Sequence, residues 1–318
     1  MSRGSAAAAQ PHAPERGLSA RLLGPLHPTG IFWYRLNRWL VTALPDRLMA
    51  PLIATSAPLA FVLVPGVCRI IRANHAVALG PAGFVERERR VFRMLRAFGM
   101  CLIERYERFS TGRPFAVEVE EMTNWRTVAE SGRGFVMVTA HIGLYEAGSM
   151  VPSAMEGRRV HLVREPELDP RAQAFIEETV AAVQGTDYKM HFQTGDPLQA
   201  MALVEALDRG EIVAVQADRP HAGGKTVDAT LFGRPFPLPA GPAVLARTAR
   251  VPILPVFALR AGRRRFRLVF RPPIEVARTL DRNADLAAAM GRVAGDIEYA
   301  IRRAPEQWFV FRELWPGG

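Results

Sequence analysis

The strongest chemical signal in the chain is His141-Ile142-Gly143-Leu144-Tyr145-Glu146, which directly follows the apolar run Gly134–Ala140 (GFVMVTA). A separation of five residues turns two side chains about 140° apart on a continuous helix. His141 and Glu146 therefore meet only if His141 sits in a strand-to-helix turn and Glu146 in the first helical turn, a bend that Gly143 permits. A carboxylate holding one imidazole nitrogen fixes the tautomer and leaves the other nitrogen as a general base for a hydroxyl proton. The same spacing suits a polar residue capping a helix, followed by a Glu that the helix dipole favours. Spacing alone leaves both readings open.

Arg164 follows the run Arg159–Val163 and Asp218 follows Glu211–Ala217, so in an α/β sheet both project near the same edge as His141. Arg164 reads as a binder of an acidic or phosphate-bearing group, or as one half of a surface ion pair. Gly224-Lys225-Thr226 imitates the end of a phosphate-binding loop, but the first glycine of that motif would fall on Arg219. His161 and His191 read as isolated structural or surface residues, and Arg263–Arg265 as a solvated turn that touches phospholipid at most. Cys68 and Cys101 are the only cysteines and form no metal-ligand spacing, so a zinc site and a disulfide framework are excluded and a reducing compartment fits.

These residues need a scaffold. Gly134–Ala140, Arg159–Val163, Glu211–Ala217 and Pro252–Leu259 are short apolar runs of the buried-strand type, separated by helical patterns at Pro170–Gln184, Pro197–Arg209 and Gly241–Arg250. Arg264–Phe270 alternates as a strand exposed on one side, and Asn283–Arg303 reads as a long closing helix. The pattern predicts an α/β fold with a mostly parallel central sheet flanked by helices.

The first part of the chain has a different character. Residues 1–30 are rich in Ala, Pro, Gly and Arg and read as a disordered tail without an export signal. Residues 31–110 read as an N-terminal membrane-associated helical region, and residues 111–318 as the α/β domain. Aromatic and basic residues mix over 31–47 as in an interfacial helix. Leu48–Val67 carries no charge, although Pro51, Pro58 and Pro65 disfavour a straight span; it reads as a membrane-seated or broken helix, or as a buried helical pair. Val85–Arg105 is an amphipathic helix with Val91, Met94, Leu95, Phe98 and Leu102 on one face and arginines in solvent on the other.

Across the whole chain of 318 residues, 49% are hydrophobic and 23% charged, which excludes wholesale disorder and fibrous architectures. The formal charge is +10, and of the 41 basic residues all but Lys189 and Lys225 are arginine. The excess calls for a polyanionic partner. Nothing resembles a recognition helix or a basic patch interleaved with aromatics, so nucleic acid is not expected.

From about Leu40 to Trp315 the chain resembles the bacterial lipid A biosynthesis acyltransferases. Four blocks carry the likeness in order: VTAHIGLYEAG around His141 and Glu146, GEIVAVQADRP at Gly210–Pro220, LFGRPFPLPAGP at Leu231–Pro242 with the stretch to Phe257, and Pro305-Glu306-Gln307-Trp308 with Phe311, Arg312 and Trp315. The resemblance implies transfer of a fatty acyl chain from an acyl carrier protein or coenzyme A thioester to a hydroxyl of a membrane lipid, with no cofactor and no metal, at the cytoplasmic face of the inner membrane. It implies His141 as general base, Glu146 as its orienting acid, and Arg164, Asp218 and Arg219 at the substrate, with Asp218 either touching substrate or organising the site. Arg219 stands where the family often has Gln, which bears on the acceptor. Backbone amides near Gly143 or a nearby guanidinium are the expected oxyanion donors. The acceptors to weigh are a lipid A precursor, a lysophospholipid, an ornithine-type lipid and a glycolipid. The +10 charge then fits an acidic carrier protein and an anionic membrane surface. A hydrolase lacks a GxSxG elbow here, and a non-catalytic lipid-binding protein of the same fold would not need His141 and Glu146.

Overall fold

The computed structural model describes residues 30–145, 157–167, 169–184, 188–193, 196–220 and 223–315. The expected tail, the side chain of Glu146 and its surroundings up to residue 156 lie outside the described residues.

Seven strands form the central sheet in the order β1-β9-β8-β2-β5-β3-β4. β2 (Phe135–Thr139), β3 (Val160–Arg164), β4 (Tyr188–Phe192), β5 (Ile212–Gln216) and β8 (Ile253–Gly262) run parallel to one another, while β9 (Arg265–Phe270) turns back antiparallel to β8 and pairs in parallel with β1 (Ala116–Glu120). The sheet is mostly parallel and flanked by helices, as the apolar runs predict. β2 is buried along its length, and β5 up to Val215, because helices cover both faces.

Two core clusters sandwich the sheet. On one side Val136, Val138, Val213 and Phe257 pack with α7 (Pro197–Asp208), α8 (Gly241–Ala249) and α9 (Arg282–Arg303). On the other, Phe135, Met137, Ile212 and Ala214 pack with α3 (Pro65–Leu79), α4 (Phe84–Thr111), α5 (Met122–Ala129) and α6 (Pro170–Gln184). The alternation of β9 holds at Arg265, which is exposed, and at half-buried Arg267, but Val269 on the same face is buried on the α9 side. β1 and β4 carry charge and lie at the two sheet edges, where no continuous apolar run marks a strand. A separate hairpin pairs β6 (Thr226–Leu231) with β7 (Arg234–Pro239), closed at Phe232-Gly233 with both φ angles positive. Lys225 thus leads into a strand and not into the helix a phosphate-binding loop requires.

The apolar N-terminal stretch breaks in two. α2 (Asp46–Leu63) contains Pro51 and Pro58, and Pro65 opens α3, after α1 (Ile31–Ala43). α2 is the one helix among the described residues long and apolar enough to cross a membrane. Met49, Ile53 and Ala57 recur every fourth residue and are buried, whereas Leu48, Leu59, Val62 and Leu63 are exposed.

Buried carboxylates of α4 lock this helical layer to the sheet. Glu104, fully inaccessible, accepts from Arg260 Nε at 2.8 Å and from the Arg264 amide at 3.0 Å. Glu107 accepts from Arg264 Nε at 2.7 Å and pairs with Arg263 at 2.6 Å, and Asp46 at the start of α2 pairs with both arginines. The turn expected to be solvated is therefore tied down by three carboxylates, because burying Glu104 and Glu107 requires compensating guanidiniums.

Candidate active site

His141 and Asp218 are 77 residues apart in sequence, yet their side chains meet: His141 Nδ1 lies 2.7 Å from Asp218 Oδ1. The sheet register brings them together. β2 and β5 are neighbours with Thr139 opposite Gln216, and each residue of the pair stands two positions beyond its strand end. The Ala217 amide, donating to Thr139 O at 2.9 Å, extends the pairing up to the site.

The turn that carries His141 is held from two sides. Gly143 has φ +58° and donates its amide to Gln307 O at 2.9 Å, and Leu144 donates to Ala258 O at 2.8 Å. A Cβ on Gly143 would lie 2.2 Å from Ala258 O, so close approach as well as conformation demands glycine here. Phe309 donates to His141 O at 2.7 Å, and the Gln307 side chain bridges to the Arg260 amide at 2.7 Å and to Arg260 O at 3.0 Å. The C-terminal segment is thus a clamp on the histidine turn.

Asp218 is wholly buried. Its second oxygen accepts the Trp308 indole N–H at 3.2 Å. Burial pushes the carboxyl pKa up, but the opposing pull of His141 and of Arg219 prevails and holds it down at about 2. An ionised carboxylate on Nδ1 keeps the proton there and leaves Nε2 with its lone pair. His141 makes no other side-chain hydrogen bond among the described residues. Asp218 has both oxygens engaged with the protein and no accessible surface, which fits the organising one of its two expected roles.

In front of this pair opens a cavity of about 290 Å³ lined by His141, Tyr145, Arg164, Gln193, Gln216 and Arg219, among others. Arg164 and Arg219 therefore reach the same cavity as His141. Arg164 is tied to Glu167, and Arg219 lies 3.6 Å from Glu165. The Tyr145 ring lies 5.3 Å from the imidazole.

Two expectations change. The amides of Ile142, Gly143 and Leu144 donate to Ala140, Gln307 and Ala258, so none of the three is free to receive an oxyanion. His161 and His191 are not isolated: His161 bridges His191 Nε2 at 2.8 Å and Glu211 Oε2 at 2.7 Å, where burial lowers both imidazole pKa values, that of His191 to about 4. Neither lines the cavity.

Residue-by-residue reading of the sequence missed Trp308 as a partner of Asp218 and Gln307 as the clamp. The Pro-Glu-Gln-Trp block was the available signal, but nothing in its spacing says what it touches. Arg312 is a further addition: it donates to Pro220 O, and burial followed by the charge of nearby Arg219 lowers its pKa.

A family model described as bacterial lipid A biosynthesis acyltransferase matches residues 24–316, nearly the whole chain. No curated protein matches it.

Proposed function

The chain belongs to the bacterial lipid A biosynthesis acyltransferase family, and from that premise we propose that His141 is the general base that moves a fatty acyl chain from a thioester to a lipid hydroxyl. The observation that carries the assignment is the 2.7 Å contact between His141 Nδ1 and a carboxylate held ionised, beside a cavity open to substrate.

In this reading Nε2 takes the proton of the acceptor hydroxyl as its oxygen attacks the thioester carbonyl. The tetrahedral intermediate collapses with cleavage of the C–S bond, and the imidazolium returns the proton to the departing thiolate, giving ester and thiol with no acyl-enzyme. Asp218 orients the imidazole and stabilises its charged form. Glu146 remains in the proposal as the second acid, five residues on from the base. Since the amides of Ile142, Gly143 and Leu144 are occupied, the guanidiniums of Arg164 and Arg219 are our candidates to meet the developing oxyanion and a phosphate of the acceptor.

The proposed donor is an acyl carrier protein or coenzyme A thioester, the acceptor a lipid A precursor, and the place the cytoplasmic face of the inner membrane with α2 seated in the bilayer. The exposed apolar face of α2 and the +10 charge support that placement. The test is to incubate purified protein in detergent with acyl carrier protein thioester and candidate lipids and to read product mass. A product one acyl chain heavier than the lipid, abolished by His141→Ala in a folded protein, is expected. No transfer to any hydroxylated lipid would overturn the reading.

A further inference from the structure

α4 presents two unlike sides. Phe98, Leu102 and Arg105 face the histidine turn and help line a small recess with Gly143 and Leu144. Arg93, Arg96 and Met100 lie on the opposite side of the helix, within about 60° of one another at 3.6 residues per turn. There they line a cleft of about 550 Å³ together with Arg260 and Glu306.

Arg93 and Arg96 are exposed, one helical turn apart, and form no ion pair or hydrogen bond among the described residues. Two unpaired like charges at this spacing repel each other. The rest of this helix behaves differently: Arg87, Arg89 and Arg90 each have a glutamate within 4 Å. Arg260 in the cleft is already committed to Glu104, and Glu306 is the single acid lining it among the described residues. The cleft thus keeps two uncommitted guanidiniums.

Met100 also lines the adjoining cavity of about 360 Å³, whose apolar floor is Met49, Ile53, Met100 and Ile103. Met49 and Ile53 belong to α2, the apolar helix. A basic cleft therefore continues, across one methionine, into an apolar trough at the root of the helix most suited to a bilayer.

We propose that this side of α4 is a binding site for an anionic phospholipid, with its phosphate between Arg93 and Arg96 and an acyl chain over Met100 along Met49, Ile53 and Ile103. The site is separate from the catalytic cavity and rests on the reading that α2 seats in a membrane. Two guanidiniums match a phosphate diester, and the trough matches the chain that must leave it on the same side. The lipid bound here is a seat for the enzyme and not its substrate, since α4 stands between the site and His141.

The experiment is co-sedimentation of the full chain with vesicles of phosphatidylcholine alone or with added phosphatidylglycerol. The wild type is expected to prefer the anionic vesicles, and Arg93→Gln/Arg96→Gln to lose that preference by about tenfold to thirtyfold while still binding through α2, at the strength expected for two basic residues at a surface. A charge-matched control, Arg278→Gln/Arg282→Gln, is expected to retain most of it; equal loss there means only a diffuse field and overturns the site. Ala97→Trp keeps both guanidiniums but fills the cleft, and a preference undiminished in that variant overturns a seated headgroup. Thermal melts establish that each variant is folded. Soluble glycerol phosphate binding as tightly as the vesicle overturns the lipid assignment. Wild type that binds no vesicle defeats the membrane reading itself, whereas equal binding to both vesicle types defeats only this site.

Discussion

Trp308 and His141 grip the same carboxylate from its two oxygens: the indole N–H reaches Asp218 Oδ2 at 3.2 Å and the imidazole Nδ1 lies 2.7 Å from Oδ1. The aspartate therefore has no freedom to rotate away from the base. The C-terminal segment that supplies Trp308 also accepts the Gly143 amide through Gln307 O, so one segment sets both the acid and the turn of the base.

Asp218→Asn preserves shape but favours the wrong imidazole tautomer, because the amide can present N–H to Nδ1. A fall in kcat of about a hundredfold to ten-thousandfold is expected, with a melting temperature close to that of the wild type. Glu146→Gln, assayed alongside, apportions the orienting role. If it costs as much as His141→Ala while Asp218→Asn costs little, the orienting acid is Glu146 and the assignment to Asp218 fails.

Trp308→Phe keeps the ring in a fully buried position and removes the donor to Asp218 Oδ2. Leaving a buried acceptor short of a partner costs about 1–3 kcal/mol. Denaturant unfolding should show that loss, and kcat should fall while KM stays near its wild-type value, since the carboxylate gains freedom but the cavity lining is unchanged.

Gly143→Ala tests the turn. The residue sits at φ +58°, where an L side chain costs about 1–2 kcal/mol, and its new methyl would press on Ala258 O at 2.2 Å. Both terms act against the same fold. Expected are a clear drop in melting temperature and activity reduced by at least about tenfold, because the backbone beside His141 must shift. Unchanged activity would show that the turn is looser than its hydrogen bonds imply.

His75 supplies a pH signature away from the site. Burial, followed by the charge of Arg90, lowers its pKa to about 4 from an ordinary value near 6.5. In the pH window between these values the unfolded chain binds the proton and the folded one resists it, so stability rises with pH there. The contribution is fully present above about pH 6.5 and lost as pH falls towards 4. Urea midpoints measured across this range should decline with acid, and His75→Leu should flatten the slope. A slope equal to that of the wild type would assign the acid sensitivity to other groups.

The local signals in the chain were strong where they depend on near neighbours. Apolar runs mark β2, β3, β5 and β8 because a strand buried on both faces must be apolar throughout, and the 3.6-residue pattern marks α4 and α9. His141 stands out as a candidate base because it follows such a strand, and Arg164 and Asp218 because they follow two others, whereas Arg219 enters only through the family resemblance. The edge strands β1 and β4 and the β6–β7 hairpin carry no such run, so composition did not reveal them.

Tertiary structure decided that Asp218 meets the His141 imidazole. Nothing local to Asp218 says that it lies against His141; that follows from β2 and β5 being neighbours in a sheet whose strand order departs from sequence order. The same holds for Trp308, Gln307 and the pairing of Glu104 and Glu107 with Arg260, Arg263 and Arg264. Hydrophobic periodicity is a property of adjacent residues, whereas the burial of a carboxylate and the choice of its partner are set by which distant segments the packed sheet brings to one place.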